Sequence, residues 1–426
     1  MDRDRRWGRA TPSIDRARLI ADVRDLVRIP SITGSEEVIA AWTAAALRDI
    51  GLTVEEIAPD PDAIRADPAW PGQEMPRTSL PVVIGRAGRP GGRRLILSGH
   101  LDVVPAGDRT TWTADPWAAE IRGGSLYGRG ACDMKGGVAA IIAAVRSLRT
   151  SGDLERLTGE LLVVLVPSEE DGGQGTLAAI RAGATGGLAV ITEPSGLDIV
   201  IAHAGAITFR LTVPGRAAHA SRRREGVSAL DKLWVITRAL EANEERRNAS
   251  ETDPIMAALG MPYPTMIGIV CGGEWASTVL DRVVADGRYG VRLGQSDAEA
   301  EAELRSCVAA ACASDDFLRD HPVEIEITGG RFGSARVPAG HPLPVGLAAT
   351  AEAVTGRRPA LLGAPYGADM RLFVNVGETP CVIFGPGDVR VAHSADEHVP
   401  LDEVVDCAAV LAAWVRSEIG PDARRG

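Results

Sequence analysis

The sequence predicts an α/β protein whose sheet, covered on both faces, is interrupted by a smaller domain of βαββαβ order. Three observations lead there. Short β-branched apolar runs alternate with helical periodicity up to about residue 205, the pattern of strands buried between helices. Across residues 206–328 the order changes to strand, helix, strand, strand, helix, strand, a ferredoxin-like unit. After residue 328 the α/β texture returns, so residues 1–205 and 329–426 are expected to form one domain and 206–328 an insertion.

Each element has a local reason. Helical periodicity runs through "IDRARLIADVRDLVRI" and again through residues 35–50, where Gly51 is a natural C-cap. Residues 59–76, "PDPDAIRADPAWPGQEMP", are rich in Pro and Asp and read as a long loop, a candidate flap. Then come the apolar runs "PVVIGRAG", "RRLILSGHLDVV" and "GELLVVLVPSEE", with the small-residue helix "KGGVAAIIAAVRSL" before the last. The insertion reads "AITFRLTV", helix "GVSALDKLWVITRALEANEE", "TMIGIVCGG", "RVVADGRYGVRL", helix "SDAEAEAELRSCVAAACA" and "VEIEITGG". Strand "CVIFGPG" and helix "LDEVVDCAAVLAAWVRSEI" close the chain.

Composition narrows the function. The 426 residues are 45 % hydrophobic, enough for a large core, and carry a formal charge of −11. That surface repels phosphate, which argues against nucleic acid and anionic membranes and leaves small molecules as the expected partners. Six scattered cysteines without a C-x-x-C pair indicate neither a zinc ribbon nor a disulfide framework and fit a reducing cytoplasm. "MDRDRRWGRATPS" is followed by no apolar h-region, and no run of 18 apolar residues occurs, so neither a signal peptide nor a membrane span is expected.

Metal-ligand residue types stand just after strands or in Gly-rich turns: His100 and Asp102 in "LILSGHLDVVPAGD", Asp133 in "GRGACDMKGG", Glu169, Glu170 and Asp171 in "VVLVPSEEDGGQGT", Glu193 in "LAVITEPSG" and His393 in "FGPGDVRVAHSADEHVP". Open α/β sheets bind ligands at the carboxyl ends of their strands, so these loops are expected to meet in one crevice. Two imidazoles and three carboxylates suit two Zn2+ ions, with Co2+ or Mn2+ as substitutes, because a bridging carboxylate lets five side chains serve two metals. Two such ions polarise an amide carbonyl and activate water. One carboxylate must stay free to move the proton, and adjacent Glu169 and Glu170 can divide those tasks. Asp102 is placed to hold the far nitrogen of His100.

Together, "SGHLDVVPAGD", "GRGACDMKGG", "PSEEDGG", "TEPS" and "AHSADEHVP" resemble the acetylornithine deacetylase and succinyl-diaminopimelate desuccinylase family of dinuclear zinc hydrolases, over roughly residues 15–416. The resemblance implies a zinc-peptidase-like catalytic domain with a ferredoxin-like lid that often dimerises. It implies His100, Asp133 and Glu193 around one zinc, Asp133 bridging, Glu170 and His393 completing the second site, and Glu169 as the general acid/base. In "VPGRAAHAS", His219 matches a histidine that helps hold the oxyanion, supplied by the partner subunit in dimeric members. Arg288 in "ADGRYGVRL" resembles an arginine that binds a substrate carboxylate. "GAPYGADMRLF" resembles a glycine-rich substrate loop, which makes Gly367 and Arg371 candidate substrate-binding residues; Asp369 beside them reads equally as a helix N-cap. Two stretches depart from the family: "WASTVLDR" has Ser277 and Leu280 where Asn and Pro are usual, and Arg222, Arg223 and Arg224 follow "AHAS" in place of a proline.

The implied activity is removal of a small N-acyl group from an amino acid or related amine by a cytoplasmic homodimer. A deformylase of a heteroaromatic amine and a dipeptidase or carboxypeptidase share the chemistry. A nucleotide-binding oxidoreductase is disfavoured, because "GRGACD" puts Asp133 where the dinucleotide motif needs its last glycine. A metal-free scaffold is the non-enzyme alternative.

Overall fold

The computed structural model describes residues 13–421 and residue 423; residues 1–12, on which the reading of the N-terminus rests, lie outside them. Asp15 opens the first helix, Arg16–Arg28, by accepting the Arg18 amide, and the second, Glu37–Ile50, ends on Gly51 at φ 102°, as its position suggested. Residues 59–76 differ from a plain loop. Asp60 caps a one-turn helix, Pro61–Arg65, with proline at its start, and the rest forms a strap that crosses to the inserted domain.

The main domain is built on a nine-stranded mixed sheet. At its centre, Glu160–Val166, Arg94–His100, Leu188–Ile191 and Cys381–Ile383 lie side by side and parallel. All seven residues of Glu160–Val166 are buried, which is why its sequence is apolar without alternation. Because the four strands share one direction, His100, Pro167, Thr192 and Phe384 leave the sheet at the same edge. Helices Gly136–Thr150 and Leu401–Ile419 pack together against this core. The first comes very close: a Cβ on Gly137 would lie 2.1 Å from the Thr192 carbonyl oxygen.

The second sheet has four antiparallel strands in the order Thr265–Gly272, Arg282–Val291, Gly205–Pro214, Glu324–Phe332. Helices Ala229–Ala249 and Asp297–Ser314 cover it, burying Leu233, Ile236, Leu304 and Val308 against Phe209, Leu211 and Ala285 in a core of its own. Ser296 and Glu299 form a capping box at the start of the second helix. Thr265–Gly272 is an edge strand, and it and the neighbouring helix expose Val270, Leu230 and Trp234. A small third sheet, Glu120–Arg122, Ser125–Tyr127 and His398–Pro400, ties the C-terminal segment to the loop that carries Asp133. Among the described residues, no helix is long and apolar enough to cross a membrane.

Candidate metal centre

The four parallel strands deliver their loops to one place. His100 is the last residue of its strand, and its Nε2 lies 2.9 Å from Asp133 Oδ1 and 3.5 Å from Glu193 Oε1. Asp133 turns its other oxygen toward His393 Nε2 at 3.4 Å, and that nitrogen is 3.0 Å from Glu170 Oε2. Two groups result, His100–Asp133–Glu193 and Asp133–Glu170–His393, with donor atoms in each within 4.8 Å of one another and Asp133 in both. Ser168, just before the paired glutamates, and His393 itself have φ of 73° and 59°, a left-handed conformation that non-glycine residues adopt only when their surroundings hold them.

The field of the cluster is one that holds positive charge. Hydrogen bonds to Asp133 and Glu170 push His393 up to about 11. The Glu193 and Asp133 carboxylates hold His100 well above the usual imidazole range against the cost of its burial. Burial and the nearby Asp133 push Glu193 up to about 8, and burial with the Glu193 and Asp369 charges raises Glu169 well above the carboxylate range. Three carboxylates and two imidazoles in this arrangement fit two divalent ions sharing Asp133.

The surroundings correct one expectation. The far nitrogen of His100, Nδ1, is held at 2.9 Å by the main-chain carbonyl of Asp102, while the Asp102 carboxylate stands 3.7 Å away. That carboxylate accepts the amides of Glu169 and Glu170 at 3.1 and 3.2 Å and the Thr33 hydroxyl at 3.0 Å, so it fastens the glutamate turn. Sequence reasoning missed Glu397. It is fully buried, pairs with Arg129, and accepts the Cys132 and Asp133 amides at 3.0 Å each, fixing the shared aspartate. One more acid in "HSADEHVP" carries no signal of that role.

A cavity of about 560 Å3 opens between the donors and the inserted domain. Glu169, Glu170, Glu193 and His393 line one wall; Thr208, Met266, Asp286 and Arg288 line the other, with Tyr366 and Gly367 between them. Glu169 is 8 % exposed and belongs to neither donor group. Arg288 lies 5.6 Å over the Phe332 ring.

Arg371 is not where substrate contact requires it. It is buried behind the wall, donating to the Ala368 and Gly172 carbonyls at 3.0 and 2.6 Å, because the short helix Met370–Asn375 turns it inward over Phe332. Asp369 occupies the N-cap position of Met370–Asn375 without a side-chain capping bond; it accepts the Thr176 hydroxyl instead. His219 is exposed, its Nδ1 2.8 Å from Ser221 Oγ, and does not line the cavity of its own chain. Ser277 and Leu280 also lie outside the lining, and Arg222–Arg224 form an exposed turn.

A two-domain fold with paired donor groups at the carboxyl edge of its sheet defines a metal-dependent hydrolase. The chain belongs to peptidase family M20/M25/M40, whose profile matches residues 96–417. It is 29 % identical over 425 residues to a succinyl-diaminopimelate desuccinylase of Gluconacetobacter diazotrophicus, covering 97 % of this chain and all of the relative. It is 27 % identical over 400 residues to the N-formyl-4-amino-5-aminomethyl-2-methylpyrimidine deformylase of Bacillus subtilis, covering 89 % of each chain. In fold it is similar to an M20 family metallo-carboxypeptidase from Sulfolobus solfataricus, with a TM-score of 0.72, 16 % identity and coverage of 93 % of this chain and 98 % of the other. The family's members are hydrolases of amide bonds.

Proposed function

We propose that the protein removes a small acyl group from the nitrogen of an amino acid or similar amine. The observation that carries this is a buried glutamate, Glu169, facing the cavity beside two donor groups and belonging to neither. In this reading His100, Asp133 and Glu193 hold one ion and Asp133, Glu170 and His393 the other, with zinc the expected metal and cobalt or manganese acceptable. Bound ions supply polarisation of the scissile carbonyl and a more acidic water. Glu169 takes the proton from the attacking water and delivers it to the leaving nitrogen, while Asp102 holds its main chain in place. Gly367 and Arg288 contact the substrate, Arg288 through a carboxylate. Arg371 supports the loop from behind.

His219 acts from a second copy. Leu230, Trp234 and Val270 make an apolar surface beside an otherwise open sheet edge, the arrangement that favours pairing of two lids. A cytoplasmic homodimer agrees with six unpaired cysteines, and the charge of −11 agrees with a small-molecule substrate rather than nucleic acid or membrane. The test is hydrolysis of N-formyl, N-acetyl and N-succinyl amino acids, formylamino pyrimidines and dipeptides by metal-loaded protein, with Glu169→Gln beside it. Turnover of one class that falls by roughly 10³-fold or more in the variant, at equal metal content, is expected. Equal turnover by the variant would remove Glu169 from the chemistry.

A further inference from the structure

Directly behind the glutamate turn lies a buried ion network that the metal centre does not use. Arg77 donates to both Glu36 oxygens, Nη1 to Oε2 at 3.3 Å and Nη2 to Oε1 at 3.0 Å, and Nη2 also to Asp171 Oδ1 at 3.2 Å. The Arg77 and Glu36 side chains are 0 % exposed and Asp171 is 3 % exposed. Asp171 immediately follows Glu169 and Glu170, accepts the Ser168 hydroxyl through the same oxygen and accepts the Met75 amide through its other one at 3.3 Å. Asp102, which binds the Glu169 and Glu170 amides, adds its charge to the field at both Arg77 and Glu36.

Arg77 is also the foot of the strap that leaves the main domain. Three to six residues before it, the strap meets the lid: the Arg331 amide donates to the Pro71 carbonyl at 2.6 Å, and the Thr208 hydroxyl to Glu74 Oε1 at 3.1 Å. A Cβ on Gly172 would lie 2.7 Å from the Gly72 carbonyl oxygen, so strap and glutamate turn are in direct contact.

Stability alone is a poor reason for such a cluster. Taking a guanidinium and two carboxylates out of water costs about as much as their attraction returns, and apolar replacements of similar volume are often as stable. What the network supplies is direction: a planar fork with fixed donors holds its carboxylates at set angles, which a single point charge cannot do. We propose that Arg77 is a positioning residue for the turn that carries Glu169, locking that turn to the strap and, through the strap, to the lid. The proposal rests on the reading of Glu169 as the proton carrier.

The experiment compares wild type, Arg77→Lys, the paired variant Arg77→Met/Glu36→Gln and Glu169→Gln, all as full chains loaded with zinc. The substrate is the N-acyl compound that wild type hydrolyses fastest in the panel above. Both Arg77 variants are expected to lose on the order of 10–100-fold in kcat with KM within about threefold, since a displaced catalytic group costs rate rather than binding. Zinc content is expected to stay equal, and the Glu169 and Glu170 amides to exchange with solvent faster than in wild type. A kcat within twofold of wild type in both Arg77 variants, while Glu169→Gln is inactive, would overturn the positioning role and leave the proton carrier standing. Full activity in Glu169→Gln would overturn both. Loss of zinc, or of the cooperative unfolding transition, in both Arg77 variants would also overturn the proposal, because the network would then serve the metals or the whole fold.

Discussion

His203 offers a measurable link between pH and stability. It ends the strand Ile199–His203 with its ring fully buried, Nδ1 donating to the Ala204 carbonyl at 2.7 Å, and burial holds it down at about 4. The free imidazole titrates near 6.5, so the unfolded chain binds this proton more tightly than the folded one. The folded state therefore has the full benefit of a neutral His203 above pH 6.5 and loses it as pH falls through 4. Worked through the two pKa values, the loss is about 2 kcal/mol at pH 5 and about 3 kcal/mol at pH 4. The perturbation is His203→Asn, whose amide nitrogen stands where the imidazole Nδ1 does, so it keeps a donor for Ala204 and removes the titration. Urea unfolding of both metal-free proteins at pH 8, 6, 5 and 4 gives the difference at each pH, in which the titrations common to both cancel. Wild type is expected to weaken relative to the variant by the amounts above. Parallel curves, within about 0.5 kcal/mol from pH 8 to 4, would refute a buried neutral imidazole at this position.

Two further predictions concern close packing and assembly. Gly137→Ala is expected to cost about 3 kcal/mol in unfolding experiments and to lower metal affinity, because its methyl meets the Thr192 carbonyl beside Glu193; an unchanged urea midpoint would contradict this. On the proposed pairing of two lids, Trp234→Glu is expected to give monomer in sedimentation velocity and to reduce turnover in step, since it takes a second copy's His219 away; a fully active monomer would contradict the second copy's role.

How much of this was legible depends on how local each signal is. Strands such as Glu160–Val166 announce themselves because burial on both faces forces an apolar run, and the donors at their ends stand out because polar residues interrupt it. The order of helices and strands in the insertion is likewise written in periodicity. Contacts made across the chain are not. Arg77 reaches Asp171 over 94 positions and Glu397 reaches Asp133 over 264, and nothing in their neighbours' residue types marks either. The same holds for Asp102: the sequence places it two residues from His100, but which of its oxygens faces the imidazole is settled by where the Glu169 and Glu170 amides lie. Arg371 follows a loop whose glycines suggested substrate contact, and only the packing of its short helix over Phe332 shows that it points inward.

The two donor groups become available at different moments in the life of the chain. Those around His100 and Asp133 are complete once Glu193 has been made, whereas His393 emerges only after residues 194–392. At ordinary rates of translation that interval is roughly 10–40 s, with the whole lid still to be synthesised. A nascent chain thus carries four of the five donors before any of the lid exists, and only its last part brings His393 to complete the second group and Glu397 to fix the shared Asp133.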